Sequence, residues 1–183
     1  MESLTRQKTV PILERLQRPG VLLADGSTGV MLQNMGLARG IAPEVWVMEQ
    51  PAQIRALHRA YVEAGSELIL TCTFGGTRLR LQDSNLADQV PEVNQRAAEL
   101  ARAEAGERVF VAGDIGPTGQ LMDPLGSLSY EEAVETFAEQ AAALAQGGVD
   151  LIYIETMSDL NEARAAIEGA RRATDLPIFA TMT

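Results

Sequence analysis

One cysteine, Cys72, and one histidine, His58, stand in 183 residues. An internal disulfide is therefore excluded, and a structural zinc site of four Cys and His ligands cannot be assembled. Basic charge is scarce: 15 Lys+Arg face 25 Asp+Glu, for a formal net charge of -10, and no basic cluster occurs. Phosphate backbones and anionic membrane surfaces are thus poor partners, and no nucleic acid is expected. No apolar run approaches the roughly 18 residues of a membrane span. The N-terminus, MESLTRQKTV, is polar, unlike a charged stub followed by an apolar core. No membrane partner is expected, and a cytoplasmic location follows as the default.

What the chain does have is 46% hydrophobic residues, enough for one domain with a sizeable core. Five short apolar runs recur: Val21–Ala24, Glu67–Thr71, Val109–Ala112, Leu151–Ile154 and Pro177–Ala180. They are apolar without alternation, which is how strands of a parallel sheet covered on both faces read. The segments between them have helical period and carry stop and start signals. Pro51 and Gly65 bracket Ile54, Leu57, Tyr61 and Val62, and Pro91 and Gly106 bracket Val93, Ala97 and Leu100. Ser129 with Glu132 and Asp159 with Glu162 read as capping boxes opening two further helices, the first ended by Gly147-Gly148. The order is an α/β protein without repeat or linker, read as one unit, 1–183. An open nucleotide-binding sheet would carry a glycine-rich turn after its first strand. Here Asp25-Gly26-Ser27-Thr28-Gly29 matches neither GxGxxG nor GxxxxGK[ST], so a (β/α) barrel is favoured.

Each apolar run gives way to polar residues: Asp25, then Thr71 and Thr73, Asp114, Glu155, and Thr181 with Thr183. Ligands of parallel α/β proteins bind at the carboxyl edge of the strands, so these side chains are expected to converge. Glu155 follows Leu-Ile-Tyr-Ile and needs a partner or a ligand. Asp25 reads as functional or as a turn former. Asp114 lies in Gly113–Gly119, which is either an anion nest or a tight loop. His58 shares a helix face with Ile54, Leu57 and Tyr61 and reads as packed. Cys72 reads as a small buried hydrophobe, and Trp46 and Met157 as lining or packing residues. Two carboxylates in a mostly neutral cleft suit the ammonium of an amino acid. They also suit glycoside hydrolysis, a reading weakened by an aromatic content of 4%.

Five stretches together resemble the homocysteine S-methyltransferase family. They are Leu23–Gly29 with Met31-Leu32-Gln33, His58–Gly65, Thr71-Cys72-Thr73-Phe74-Gly75, Gly113–Gly119 and Ile154–Asp159. That family includes betaine–homocysteine methyltransferases and the homocysteine-binding domain of cobalamin-dependent methionine synthase. The resemblance implies a (β/α)8 TIM-type barrel in which Asp25 and Glu155 hold the amino-acid end of homocysteine, with Thr73 and Asp114 as further substrate-binding candidates. It also implies zinc held by three cysteines, which lowers the thiol pKa so that the thiolate takes a methyl group. The implied donor is methyl-cobalamin, a betaine or an S-methyl compound. Two departures stand out. Cys72 occupies a position where the family usually has Asn, and the zinc cysteines, placed by the family after the sixth and eighth strands, have no counterpart, so no metal ligand is assigned in this chain.

A (β/α)8 barrel takes roughly 250 residues, and five strands use this whole sequence. The expectation is therefore the N-terminal part of a barrel, truncated after the fifth strand, with its C-terminal segment missing. The alternative is a non-catalytic half-barrel that pairs with another chain, as a homo-oligomer or otherwise, to cover its unpaired edges.

Overall fold

The structure, a computed structural model, describes residues 11–183. The polar segment Met1–Val10 lies outside them. In chain order the elements are α1 (Ile12–Leu16), α2 (Thr28–Asn34), α3 (Pro43–Glu49), α4 (Pro51–Ala64), β1 (Leu68–Leu70) and α5 (Arg78–Leu81). After two short 3-10 turns come α6 (Val90–Ala105), β2 (Phe110–Ile115), α7 (Tyr130–Gln146), β3 (Leu151–Met157), α8 (Leu160–Ala173) and β4 (Ile178–Met182).

The four strands form one parallel sheet in the order β1-β2-β3-β4. Sequential order without reversal leaves the described sheet no switch point of the doubly wound kind. One face packs Ile69, Val111, Ile152 and Ile154 against Ala98 and Ala101 of α6, Val134, Phe137 and Leu144 of α7, and Ala166 of α8. Removing a fully buried side chain such as Phe137 from that layer costs about 3 to 5 kcal/mol. The opposite face carries Leu68, Leu70, Phe110, Ala112, Leu151, Tyr153 and Phe179, with Ile12 of α1 packed against it. Phe110, Leu68 and Leu151 are first residues of their strands, so α1 covers the amino end of this inner face and leaves the carboxyl end open.

The helix signals act where the sequence places them. Gly65 ends α4 in a left-handed conformation (φ 101°), and Ser129 and Glu132 form a reciprocal capping box on α7. Two expectations need correction. The run Val21–Ala24 is not a fifth strand but a single parallel bridge, Ala24 to Leu68. The Leu68 N–H donates to the Leu23 carbonyl at 3.2 Å, but the Leu70 N–H, next in line, is taken at 2.9 Å by the Asp25 carboxylate. A side chain thus replaces the backbone carbonyl and ends the ladder. The second correction concerns Glu162. Asp159 caps α8 through the N–H groups of Asn161 and Glu162, but Glu162 does not return the bond. Its carboxylate accepts from the Thr118 N–H at 2.8 Å and the Thr118 hydroxyl at 2.6 Å. The two short helices α2 and α3 are additional to the predicted elements. Ser27 accepts from Val30 to start the first, and Pro43 opens the second.

Candidate active site at the carboxyl edge

Strand alternation decides which side chains face inward. From Phe110 the inward positions of β2 are Phe110, Ala112 and Asp114, and from Leu151 those of β3 are Leu151, Tyr153 and Glu155. Asp114 and Glu155 therefore stand near the carboxyl ends of their strands, as extensions of the inner apolar face. Asp25, Asp114 and Glu155 line one cleft of about 790 Å3, together with Glu44 of α3, Thr73 and Tyr153. All four predicted site residues are brought together there.

Glu155 is set by an irregularity of β3. Ile154 pairs with Ala180 and Met157 with Met182, so two residues, Glu155 and Thr156, oppose the single Thr181. This is a β-bulge, with Thr156 at φ 60° and its N–H on the Thr181 hydroxyl at 3.3 Å. The extra residue turns Met157 to the helix side of the sheet, where it is fully buried, and leaves Glu155 on the cleft. A β-branched residue at positive φ is strained, a cost of order 1–3 kcal/mol that clusters at functional sites.

Carboxyls crowded in a partly buried cleft bind protons more tightly than free ones. Burial raises the pKa of Asp25 from 3.8 to about 7, with the nearby Glu155 charge adding to it and the Leu70 N–H opposing it. Burial likewise raises that of Glu155. Asp114 is 5% exposed and is pushed well above the carboxylate range, first by burial and then by Glu155, Glu44 and Asp25. Its Oδ1 has no hydrogen-bond partner among the described residues. Burial and its acidic neighbours thus favour the protonated form of Asp114, while Asp25 and Glu155 are the more open carboxyls toward a cation.

The backbone of Asp114 is fixed by the two threonines after β1. Its N–H donates to the Thr71 hydroxyl at 2.9 Å, and its carbonyl accepts from the Thr73 hydroxyl at 2.7 Å. Because the Thr73 proton is spent on that carbonyl, Thr71 is the donor in the 2.7 Å Thr71–Thr73 contact. The hydroxyl of Thr73, predicted to touch substrate, is thus engaged in holding Asp114. Gln140 of α7 extends the network, donating to the Thr73 carbonyl at 2.8 Å and to Asn94 Oδ1 of α6 at 3.1 Å. Asn94 in turn donates to the Gly76 carbonyl at 2.8 Å. Only glycine fits at position 76, where a Cβ would overlap Asn94 Oδ1 and Gln140 Nε2.

The loop after β2 departs from the anion-nest expectation. Two of its N–H groups are spent within the protein: Gly116 donates to the Phe74 carbonyl and Thr118 to Glu162. The anion it holds is the protein's own carboxylate. Cys72 is 2% exposed and its thiol pKa is raised well above normal by burial, Glu44 and Asp114, so it is a packed thiol. His58 is 1% exposed, packed as expected and away from the cleft lining. Trp46 packs beside Leu32 and Val47. Glu44, Asn94 and Gln140 gave no signal in the sequence and Glu162 was legible only as a capping residue, because each acts through partners 18 to 67 residues away.

The profile of the family described as homocysteine S-methyltransferase matches residues 22–183. The chain belongs to the homocysteine S-methyltransferase family. Among its homocysteine S-methyltransferase relatives, the methionine synthase of Mycobacterium leprae is 32% identical over 97% of this chain and 16% of its own length. The methionine synthase of Mycobacterium tuberculosis is likewise 32% identical, over 89% of this chain and 15% of its own length. The chain thus spans about a sixth of the curated relatives it matches. Among solved structures, the metallated form of the Escherichia coli homocysteine methyltransferase MmuM superposes with a TM-score of 0.83 at 24% identity, over 95% of this chain and 67% of that one. Its oxidized form gives 0.82 at 22% identity, over 94% and 65%. At those identities the likeness concerns the fold. The glycosidase reading finds no support in either comparison.

The family's zinc can be tested against the donors present. Three cysteines are implied and one exists, with its thiolate disfavoured by burial. Among the described residues no three His, Cys, Asp or Glu side chains are placed to hold a metal. The residues of this chain do not fit the zinc site. No helix among the described residues is long and apolar enough to cross a membrane.

Proposed function

We propose that this chain binds the amino-acid end of homocysteine for a homocysteine S-methyltransferase, a cytoplasmic enzyme whose barrel closes with strands beyond the described sheet. The observation that carries this reading is the convergence of Asp25 and Glu155 on the inner face at the carboxyl edge. Both are raised in pKa, and among the described residues neither forms an ion pair with a basic side chain. A ligand ammonium entering between them supplies the missing positive charge and makes charge-assisted hydrogen bonds to both. Asp114, buried beneath them with its proton affinity raised, offers an unpartnered carboxyl oxygen to the same ligand. Thr71, Thr73, Asn94 and Gln140 keep that floor in place without touching the ligand.

The metal half of the reaction is assigned no residue here, and no step is routed through it. The donor belongs to the classes the resemblance implies: methyl-cobalamin, a betaine or an S-methyl compound. Calorimetric titration of the chain with homocysteine tests the reading. Glu155→Gln is expected to weaken binding by about 1.5 to 3 kcal/mol, the scale of a hydrogen bond to a charged group. Unchanged affinity would remove Glu155 from the site. Wild-type protein that binds no homocysteine would remove the reading itself. One tightly held zinc per chain in metal analysis would contradict the conclusion that the donors do not fit.

A further inference from the structure

The cleft that gathers Asp25, Glu44, Asp114 and Glu155 is also lined by Arg80. Arg80 sits on α5, the four-residue helix that Thr77 caps directly after the β1 loop. Its neighbour Arg78 turns the other way, onto Glu139 and the Ala87 carbonyl. The Arg80 guanidinium has no hydrogen bond or ion pair among the described residues, although Asp83 lines the same wall. Its charge reaches Glu44 and opposes the rise in that group's pKa, but burial dominates there. Glu44 is already bonded to the Gly75 N–H at 2.6 Å.

The guanidinium is nonetheless positioned. It lies against the backbone of Gly119, where a Cβ would meet Nη1 at 2.9 Å and Cδ at 3.2 Å, and Gly119 itself has φ +77°. The loop bearing Gly119 is anchored one residue earlier, at Thr118, by the buried Glu162. A cation packed on anchored backbone, with its donors open to a cleft, loses little freedom on meeting a ligand. The planar fork of Arg matches a carboxylate through two parallel hydrogen bonds.

We propose that Arg80 is the carboxylate receptor of this cleft, giving it a cation-binding floor and an anion-binding wall that together read a zwitterion. The inference rests on the proposed binding of homocysteine. The carboxylate comes from one of two sources, the amino-acid acceptor or a carboxylate-bearing methyl donor such as a betaine.

The test is calorimetric titration of the full chain, as wild type, Arg80→Gln and Arg80→Lys, with two matched pairs of probes under reducing conditions. One pair is homocysteine and its decarboxylated analogue aminopropanethiol; the other is betaine and its alcohol analogue choline. In Arg80→Gln, homocysteine affinity is expected to fall about tenfold, the low end for a hydrogen bond to a charged group, with aminopropanethiol unchanged. Arg80→Lys should restore part of the loss, since it keeps the charge without the fork. A loss confined to betaine, with choline unchanged, also supports the receptor and assigns the donor as its source. Equal losses for both members of a pair, or no loss for any probe, overturn the role of Arg80 while homocysteine binding stands. If wild-type protein binds none of the probes, this inference and the proposed function fall together. Because Arg80 is exposed, thermal melts of the variants should match wild type, so a binding change is not a folding change.

Discussion

Replacing Asp25 by Asn should make the protein more stable at alkaline pH while impairing the site. The pKa of Asp25 rises from 3.8 to about 7 on folding, so the folded chain holds this proton more tightly than the unfolded chain. The stability it contributes is fully present below about pH 4 and is lost as pH climbs through 7. At about 1.4 kcal/mol per unit, the loss amounts to about 4 kcal/mol as a ceiling. Partial exposure of the carboxylate to solvent screens it to about 2 kcal/mol. Asn carries no such cost, and its Oδ1 can keep the bond from the Leu70 N–H that ends the ladder. Urea denaturation of both proteins from pH 5 to pH 8 reads the effect directly. Asp25→Asn is expected to be about 2 kcal/mol more stable at pH 8, with the gap narrowing toward pH 5. A variant less stable than wild type at pH 8, or a gap that does not move with pH, would refute the claim that burial strains this carboxylate.

The same proton governs ligand affinity. An ammonium needs Asp25 ionised, so homocysteine should bind about tenfold more weakly at pH 6 than at pH 8, measured by titration; a flat profile would put the ammonium elsewhere. His58 has the opposite sense. Burial lowers its pKa from 6.5 to about 4, against an upward pull from Glu104, and both ring nitrogens lack hydrogen-bond partners among the described residues. Its stabilising neutrality is complete above 6.5 and is lost as pH falls to 4, up to about 3 kcal/mol. His58→Phe should flatten that limb of the urea series, and an unchanged acid limb would assign it to other groups. Gly76→Ala should destabilise by about 2 to 4 kcal/mol through overlap with the Asn94–Gln140 pair. Gly29→Ala, with open space around it, serves as the control, and equal midpoints for the two would deny the close packing at position 76.

What the sequence disclosed was local or periodic. Four of the five apolar runs became paired strands because uninterrupted Ile, Leu and Val need cover on both faces. The failure of Val21–Ala24 came from the carboxylate of Asp25 taking a hydrogen bond that the ladder required, which is a property of side-chain geometry and leaves no trace in hydropathy. Asp25, Asp114 and Glu155 were legible as candidates because a carboxylate after an apolar run has few bland explanations. The misreading of Glu162 shows the limit of short-range patterns. Glu162 follows Asp159 by three positions, as a capping box requires, yet Thr118, 44 residues away, offers it two donors in a buried setting. Ser27 and Pro43 were usable start signals for α2 and α3, but helices of 7 residues are too short to show a period.

The bond between Glu162 and Thr118 also changes how the molecule comes apart. In a chain of strand–helix units that touch only their neighbours, each unit can loosen with little effect beyond the next one. Here the first turn of α8 reaches across β3 to grip the loop that follows β2, and that loop supports Arg80. The brace ties the β3–α8 unit to the loop of the unit before it through a buried carboxylate rather than through helix packing alone. Fraying of α8 therefore reaches the rim of the cleft in one step, and a ligand gripping that rim tightens a helix it never contacts.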